Sequence, residues 1–296
     1  MPGFMRIRVW DVEHGCCVMV QYVEPDGLGQ ERGGRLAMID SGSSDDFRPS
    51  TYIRNHLGRT TLDYLFITNA DQDHMSDLKG LEEAGITVDT LIRNPSYTGA
   101  EMRAIKRVSG PLTNDAQWYA NACDSFTGGA PDVQFDQGMN GITYRSFYNS
   151  YGYGANQFTD TNNLSHAIFV KYAGFSMLFP GDLEKPGWRA LLQRPDFVAE
   201  LRQTDVLMAS HHGRESGFCP EVFDHVRPQA VVISDKPIVH TTQEMVPDYR
   251  RITTDRGIPV RTTGKFRHVL TTRRDGWINI DMHQNGLFYT TTEYAG

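Results

Sequence analysis

Asp71, Asp73 and His74 fall within four residues in the stretch FITNADQDHMSDL, Phe66 to Leu78, directly after an apolar run. Carboxylates and an imidazole this close together supply the oxygen and nitrogen donors that hold a divalent metal ion. The same residue types recur further along. Asp40 closes LAMID before the tight SGSS, Asp182 closes SMLFPGD, the adjacent His211 and His212 follow DVLMAS, and His240 follows AVVISDKPIV. Each stands where a β-rich run stops, and loops at strand ends line the functional crevice of an α/β sheet.

The elements that must carry these residues are legible from periodicity. MRIRVWDV alternates, CCVMVQYV is β-rich, and RLAMID is a short apolar run, with the turn-rich EPDGLGQERGG between the last two. LDYLFIT reads as a buried strand, SDLKGLEEAG as a helix capped by Ser76, and ITVDTLIRN as a strand. From about 95 to 160 the pattern weakens, with GAEMRAIKRVSG and NDAQWYANACDSF helical and an aromatic, Gly-rich stretch after them. HAIFVKYAGFSMLFPGD predicts a hairpin turning at Ala173–Gly174, and KPGWRALLQ, FVAEL, CPEVFDHV and VPDYRRITTDRG predict helices. TDVLMAS, QAVVIS, PVRTT, HVLTTRR and WINIDM predict strands. Two such runs of strands and helices suit two sheets packed face to face with helices outside, an α/β sandwich forming one domain over 1–296 with an irregular insert at about 95–160.

The 296 residues carry a formal net charge of −7, with 39% hydrophobic and 22% charged residues, which is ordinary for a globular chain. A whole-surface attraction to nucleic acid is therefore not expected. No segment approaches the roughly 18 uninterrupted apolar residues of a membrane helix, so no membrane insertion is expected. MPGFMRIRVWDV lacks the apolar core of a secretion signal, so the expected location is cytoplasmic. Cys16, Cys17, Cys123 and Cys219 match neither a disulfide framework nor a zinc ribbon.

The order MIDSG, TNADQDH, PGD, SHHG resembles the metallo-β-lactamase fold. WDVEHG, NNLSHAIFVKYAGFSMLFPGDLE and DVLMASHHGRESG are similar, more closely, to the soluble hydrolase domain of ComEC-type DNA-internalisation proteins and their free-standing relatives. The resemblance spans about Arg6 to Asp281. It implies a four-layer αββα sandwich and two metal sites. One would take Asp73, His74, a histidine of the His211–His212 pair, and Asp182, which bridges to the second. The second would take the positions held here by Asn69 and Asp71, and a later residue near Asn163 or His166.

The family loop reads T-H-x-[HD]-x-D-H, and Asn69 stands at its first histidine. A neutral amide oxygen is a weaker ligand than imidazole, so the second site is expected to bind more weakly and to be retuned toward oxygen-loving manganese or magnesium. The expected cofactors are one or two divalent ions, zinc or manganese with magnesium also suited. Asn69 is equally suited to a hydrogen bond within its own turn. Asp40 is expected to orient a ligand histidine, or simply to form the turn before SGSS. His240 is expected to meet substrate or protonate a leaving group, or to be structural. His14, His225, His268 and His283 are assigned no catalytic role, and His166 is the least settled of the histidines.

The expected activity is that of a metal-dependent hydrolase using a metal-bound hydroxide, with a phosphodiester in nucleic acid or a nucleotide as the favoured bond. Support comes from the late basic run holding Arg250, Arg251, Arg256, Arg261, Lys265, Arg267, Arg273 and Arg274. The aromatic stretch with Phe147, Tyr148, Tyr151, Tyr153 and Phe158 stacks bases or packs over the core. An esterase or lactamase on the same site, and a binding module with one metal or none, are the rival readings. Oligomeric state is not encoded in these patterns.

Overall fold

The computed structural model describes residues 2–28, 30–108, 110–128 and 139–295. A nine-stranded sheet runs, edge to edge, through Lys265–Arg267, Ile258–Val260, Phe288–Thr292, Ile278–His283, Phe4–Val9, Val18–Pro25, Glu31–Ile39, Thr61–Phe66 and Thr87–Ile92. A six-stranded sheet runs through Val269–Thr271, Ala230–Ile233, Val206–Met208, Phe175–Phe179, His166–Tyr172 and Thr143–Tyr148.

The layers follow from the period of two along each strand. Met5, Ile7 and Val9 of one strand point into a core they share with Ile168, Val170, Met177, Phe179 and Val232 of the other sheet. The opposite faces are apolar too, so each needs a cover. On the larger sheet Met19, Met38 and Leu65 pack under Leu78, Leu81, Met102 and Tyr119, from helices Leu78–Glu83, Gly99–Arg107 and Asn114–Ser125. On the smaller sheet Phe169, Leu178 and Leu207 pack under Trp188, Leu191, Phe197 and Leu201, from helices Lys185–Leu192 and Pro195–Leu201. Burying each such Leu or Phe contributes about 1.5–3 kcal/mol. This is the four-layer helix–sheet–sheet–helix arrangement expected from the sequence. No helix among the described residues is long and apolar enough to cross a membrane.

Several local expectations are met and others corrected. Ala173 (φ 50°) and Gly174 (φ 85°) make the hairpin turn between His166–Tyr172 and Phe175–Phe179, where two left-handed residues match the strand twist. Ser76 does not cap a helix start. Helix Gln72–Met75 ends at Ser76, and Asp77 precedes the next helix, its carboxylate accepting from the Ser50 N–H at 2.7 Å. CPEVFDHV forms only a short 3₁₀ turn, Pro220–Asp224, and the final TRR of HVLTTRR leaves its strand for the short helix Thr272–Asp275. Strands that escaped the pattern include Thr143–Tyr148, Lys265–Arg267 inside the basic run and Phe288–Thr292 near the end. Residues 129–138 of the 95–160 stretch lie outside the described residues. Its two expected helices are present, and Thr143–Tyr148 forms the edge of the smaller sheet.

Strand direction decides where the loops gather. Glu31–Ile39, Thr61–Phe66 and Thr87–Ile92 are mutually parallel, and so are Phe175–Phe179, Val206–Met208, Ala230–Ile233 and Val269–Thr271. Asp40, the Thr68–His74 loop, Asp182, His211–His212 and Ser234–Asp235 therefore all follow the carboxyl ends of parallel strands. The Trp10–Cys17 connection joins them, because Val18 pairs with Ile39 at that same end.

Candidate metal centre

Asp73, His74, Asp182 and His212 come together there, with one ligand-type atom from each lying within 4.8 Å of all the others. His74, Asp182 and His212 are buried, and Asp73 is partly so. His74 Nε2 lies 3.1 Å from Asp182 Oδ1, and His212 Nε2 lies 3.0 Å from Asp73 Oδ2 and 3.6 Å from Asp182 Oδ2.

The opposite side of each ring is tied down. His74 Nδ1 sits 2.7 Å from Asp40 Oδ2, and Asp40 accepts from the Thr68 N–H at 2.7 Å and the Thr68 hydroxyl at 2.5 Å. His212 Nδ1 faces the Ser234 carbonyl oxygen at 3.0 Å. An imidazole that donates through Nδ1 presents a bare lone pair at Nε2. Both Nε2 atoms are buried, and neither has a hydrogen-bond partner of good geometry among the described residues. Lone pairs facing carboxylate oxygens across 3.0–3.6 Å repel unless a proton or a cation lies between them. Donors on one small cation, with bonds of about 2.0–2.2 Å, stand roughly 3–3.5 Å apart. The residues therefore fit a divalent ion.

The charge balance says the same. Burial alone would pull the His212 imidazole down, but Asp182 and Asp73 overrule it and push its pKa up to about 10. His74 is likewise raised by Asp182, Asp40 and Asp73 against its burial. Burial would raise Asp73, yet His74 and His212 bring it down to about 2, and the same two histidines hold Asp182 well below the usual carboxylate range. The cluster calls for positive charge, and a divalent cation supplies it in place of protons.

The backbone here is tightly determined. His211 (φ 51°), His212 (φ 54°) and Gly213 (φ 75°) form a left-handed run, and Asp40 (φ 59°) is left-handed as well. Such strain persists where the surroundings over-determine it. The Gly181 carbonyl accepts from the His211 N–H at 3.2 Å, and the Asp182 N–H donates to the Ser165 hydroxyl at 3.0 Å. A Cβ on Gly42 would meet the Asp73 carbonyl oxygen at 2.5 Å and the Cys16 carbonyl oxygen at 2.6 Å.

Other sequence-predicted residues lie apart from the four. The left-handed run separates the two adjacent histidines, and His211 turns away, its Nδ1 2.9 Å from the Ser216 hydroxyl and 3.4 Å from Glu184. Lys106 Nζ donates to Asp71 Oδ1 at 2.5 Å, and the Thr161 hydroxyl donates to Asp71 Oδ2 at 2.8 Å. Asn69 accepts the Asp71 N–H at 3.0 Å, an Asx turn, and its amide donates to Asn162 at 3.2 Å. Asn163 accepts from the Gly187 N–H and donates to Asp160. His166 is buried with neither ring nitrogen hydrogen-bonded among the described residues, and burial, aided by Arg93, brings its pKa down to about 3. His240 is exposed, and its N–H donates to Gln243, which in turn donates to Asp235 at 2.6 Å.

Three further residues stand at the site: His14, which the sequence left without a catalytic role, and Arg214 and Lys106, for which it held no site expectation. His14 Nε2 lies 3.5 Å from Asp73 Oδ2, Arg214 Nη2 lies 3.5 Å from His14 Nε2, and Lys106 holds Asp71. WDVEHG and SHHGRESG contain the first two, so their place beside strand ends was a usable signal. Lys106 lies on helix Gly99–Arg107 and had none.

No family model matches the chain, and no curated protein does. Similar solved structures include a protein of Parabacteroides distasonis ATCC 8503 whose assignment is metal-dependent hydrolase, at 13% identity over 91% of this chain and 94% of that one, with a TM-score of 0.44. A diphosphatase of the PhnP family matches at 11% identity over 92% and 83% of the two chains, TM-score 0.39. An archaeal metallo-β-lactamase superfamily protein from Sulfolobus tokodaii matches at 17% identity over 62% and 64%, TM-score 0.32. Likeness at this level bears on neither substrate nor mechanism.

Proposed function

We propose that the chain is a metal-dependent hydrolase of phosphodiesters, with one divalent cation held by Asp73, His74, Asp182 and His212. The observation that carries the proposal is the meeting of two buried imidazole lone pairs with two carboxylates, all within 4.8 Å. When bound, the cation supplies an acidified water and a positive centre for the oxygen that gains charge.

The chain's own residues do the rest. Asp40 and the Ser234 carbonyl fix the tautomers of His74 and His212, so both rings keep Nε2 directed inward. Arg214 stands beside the cluster with a buried Nε that has no hydrogen-bond partner among the described residues. A guanidinium suits a phosphate oxygen, where it offsets the charge that builds as the bond to phosphorus forms. That favours a phosphodiester over a neutral ester or lactam.

A basic face adds weaker support. Arg250 and Arg274 line one pocket with Phe266. Part of the run serves the fold instead, since Arg251 pairs with Asp248 at 2.6 Å, Arg267 with Asp275 at 3.1 Å, and Arg261 lies over Tyr289. Of the aromatic stretch, Phe147 is core, while Tyr151 and Tyr153 line a pocket beside Asp71 and Lys106. The ComEC-like order of motifs points to nucleic acid or a nucleotide as the source of the phosphodiester.

The test compares a chromogenic phosphodiester, a chromogenic ester and single-stranded DNA, each with metal-loaded and chelated protein and with Asp182→Asn. Phosphodiester cleavage that needs metal and disappears in the variant is the expected result. Equal cleavage by chelated protein, or a preference for the ester, overturns the reading.

A further inference from the structure

We propose that His14 is a fifth donor of this metal centre, a third imidazole carried by the connection between the first two strands and oriented by Asp235. The inference rests on the metal centre proposed above and extends its donor set.

His14 repeats part of the arrangement of the other two rings, with one nitrogen on a carboxylate and the other toward the cluster, where it also meets Arg214 Nη2 at 3.5 Å. Its Nδ1 lies 3.0 Å from Oδ1 of Asp235, which is fully buried. Its Nε2 turns to the cluster, 3.5 Å from Asp73 Oδ2, and its ring centroid is 4.4 Å from that of His212. A separation of 3.5 Å is long for a hydrogen bond. It suits two donors on one cation, which stand roughly 3–3.5 Å apart. Ser234 and Asp235 are consecutive, so one strand end orients two imidazoles, His212 through a carbonyl and His14 through a carboxylate.

The loop that carries His14 is built around the cluster. The Cys16 N–H donates to the Asp73 carbonyl at 3.3 Å, and the Ser234 hydroxyl donates to the Gly15 carbonyl at 2.7 Å. Gly15 (φ 145°) has no room for a side chain, since a Cβ would stand 2.4 Å from the Asp73 carbonyl oxygen. Asp235 is held in turn by Gln243 Nε2 at 2.6 Å and faces Arg273 Nη1 at 3.7 Å. The chain that follows His14 is thus pinned to the Asp73 loop and to the strand end at Ser234, and its orienting carboxylate has its own supports.

Three imidazoles with two carboxylates make a set suited to zinc or a neighbouring transition metal rather than magnesium, which prefers oxygen. The experiment uses the full chain and two readouts apart from turnover: zinc affinity by competition with a chromophoric chelator, and the visible spectrum of the cobalt(II)-loaded protein. His14→Ala is expected to weaken zinc binding at least 10-fold. It should also strengthen the cobalt bands as coordination falls from five toward four. His14→Gln, which keeps a donor for Asp235 and guards against loss of the fold, should weaken zinc similarly. Asp235→Asn should weaken it about 10-fold. Zinc affinity within twofold of wild type and an unchanged cobalt spectrum in both His14 variants would overturn the fifth donor and leave the four-residue centre standing. A wild-type chain that binds neither zinc nor cobalt would overturn the centre itself.

Discussion

Lys106 and Asp71 meet at 2.5 Å beside a candidate metal-binding cluster that includes neither of them. The carboxylate that the motif offers to a second metal is taken by an ammonium, and Asn69 spends its carbonyl oxygen on the Asp71 N–H. An ammonium thus stands against the carboxylate where the resemblance implies a second cation. Wild-type protein should hold one metal per chain by elemental mass spectrometry. Asn69→His alone should still hold one, because Lys106 keeps Asp71. Asn69→His combined with Lys106→Met should hold two. Two metals in wild type would show that Lys106 yields to the second ion.

Asp40 holds three groups at once: the Thr68 N–H, the Thr68 hydroxyl and His74 Nδ1. Asn tolerates the left-handed backbone found at this position, so Asp40→Asn changes charge and donor pattern without breaking the turn. Metal affinity should fall about 10–100-fold. Stability should fall by about 1–3 kcal/mol, because a buried donor loses its acceptor. Chelator competition and urea unfolding read the two effects separately. An affinity equal to wild type would reduce Asp40 to a turn residue.

The strand-end residues were legible because apolar runs stop at them, and the layers because strand alternation and helical spacing differ in period. What stayed hidden depends on long-range partners. His14 finds Asp235 across 221 positions, and Lys106 finds Asp71 across 35. Spacing within a motif carries no trace of either pairing. The choice between His211 and His212 turned on backbone, since adjacent residues in a left-handed run project apart. Lys265–Arg267 was masked by its charges, and it exists only because it pairs with Ile258–Val260 at the sheet edge.

Arg214 offers a test of substrate charge. Its guanidinium Nη2 stands 3.5 Å from His14 Nε2, at the edge of the cluster. Arg214→Ala should lower kcat/KM for a phosphodiester by about 10²-fold or more, the scale of losing a charged oxyanion contact. A neutral ester should lose much less. Lys should restore little, since it replaces a planar fork with a point charge. Equal losses on both substrates would place Arg214 in the scaffold.

Gly42 tests how closely the loops must pack. A Cβ there meets two backbone oxygens, of Asp73 and Cys16, at 2.5 and 2.6 Å, so no side-chain rotation relieves it. Gly42→Ala should destabilise the fold by about 1–3 kcal/mol. Because the strain falls on Asp73, metal affinity should drop as well. Destabilisation with unchanged affinity would mean that the loop shifts as a rigid unit.

His166 sets a pH dependence that is separable from the metal. The folded protein keeps this buried ring neutral, with its pKa brought down to about 3, while the unfolded chain protonates it near the usual value of about 6.5. Between those values the unfolded state binds one more proton than the folded state. Stability therefore rises with pH across the window, and falls by about 1.4 kcal/mol for each unit of acidification. The lowered carboxylates Asp73 and Asp182 act at more acidic pH, and the raised rings of His74 and His212 lose their contribution only on the alkaline side. Urea unfolding of chelated protein between about pH 6 and pH 5 should show a steeper loss in wild type than in His166→Met, by roughly that amount. Parallel slopes would mean that His166 gains a proton or a partner in the folded state, which would make it a candidate ligand after all.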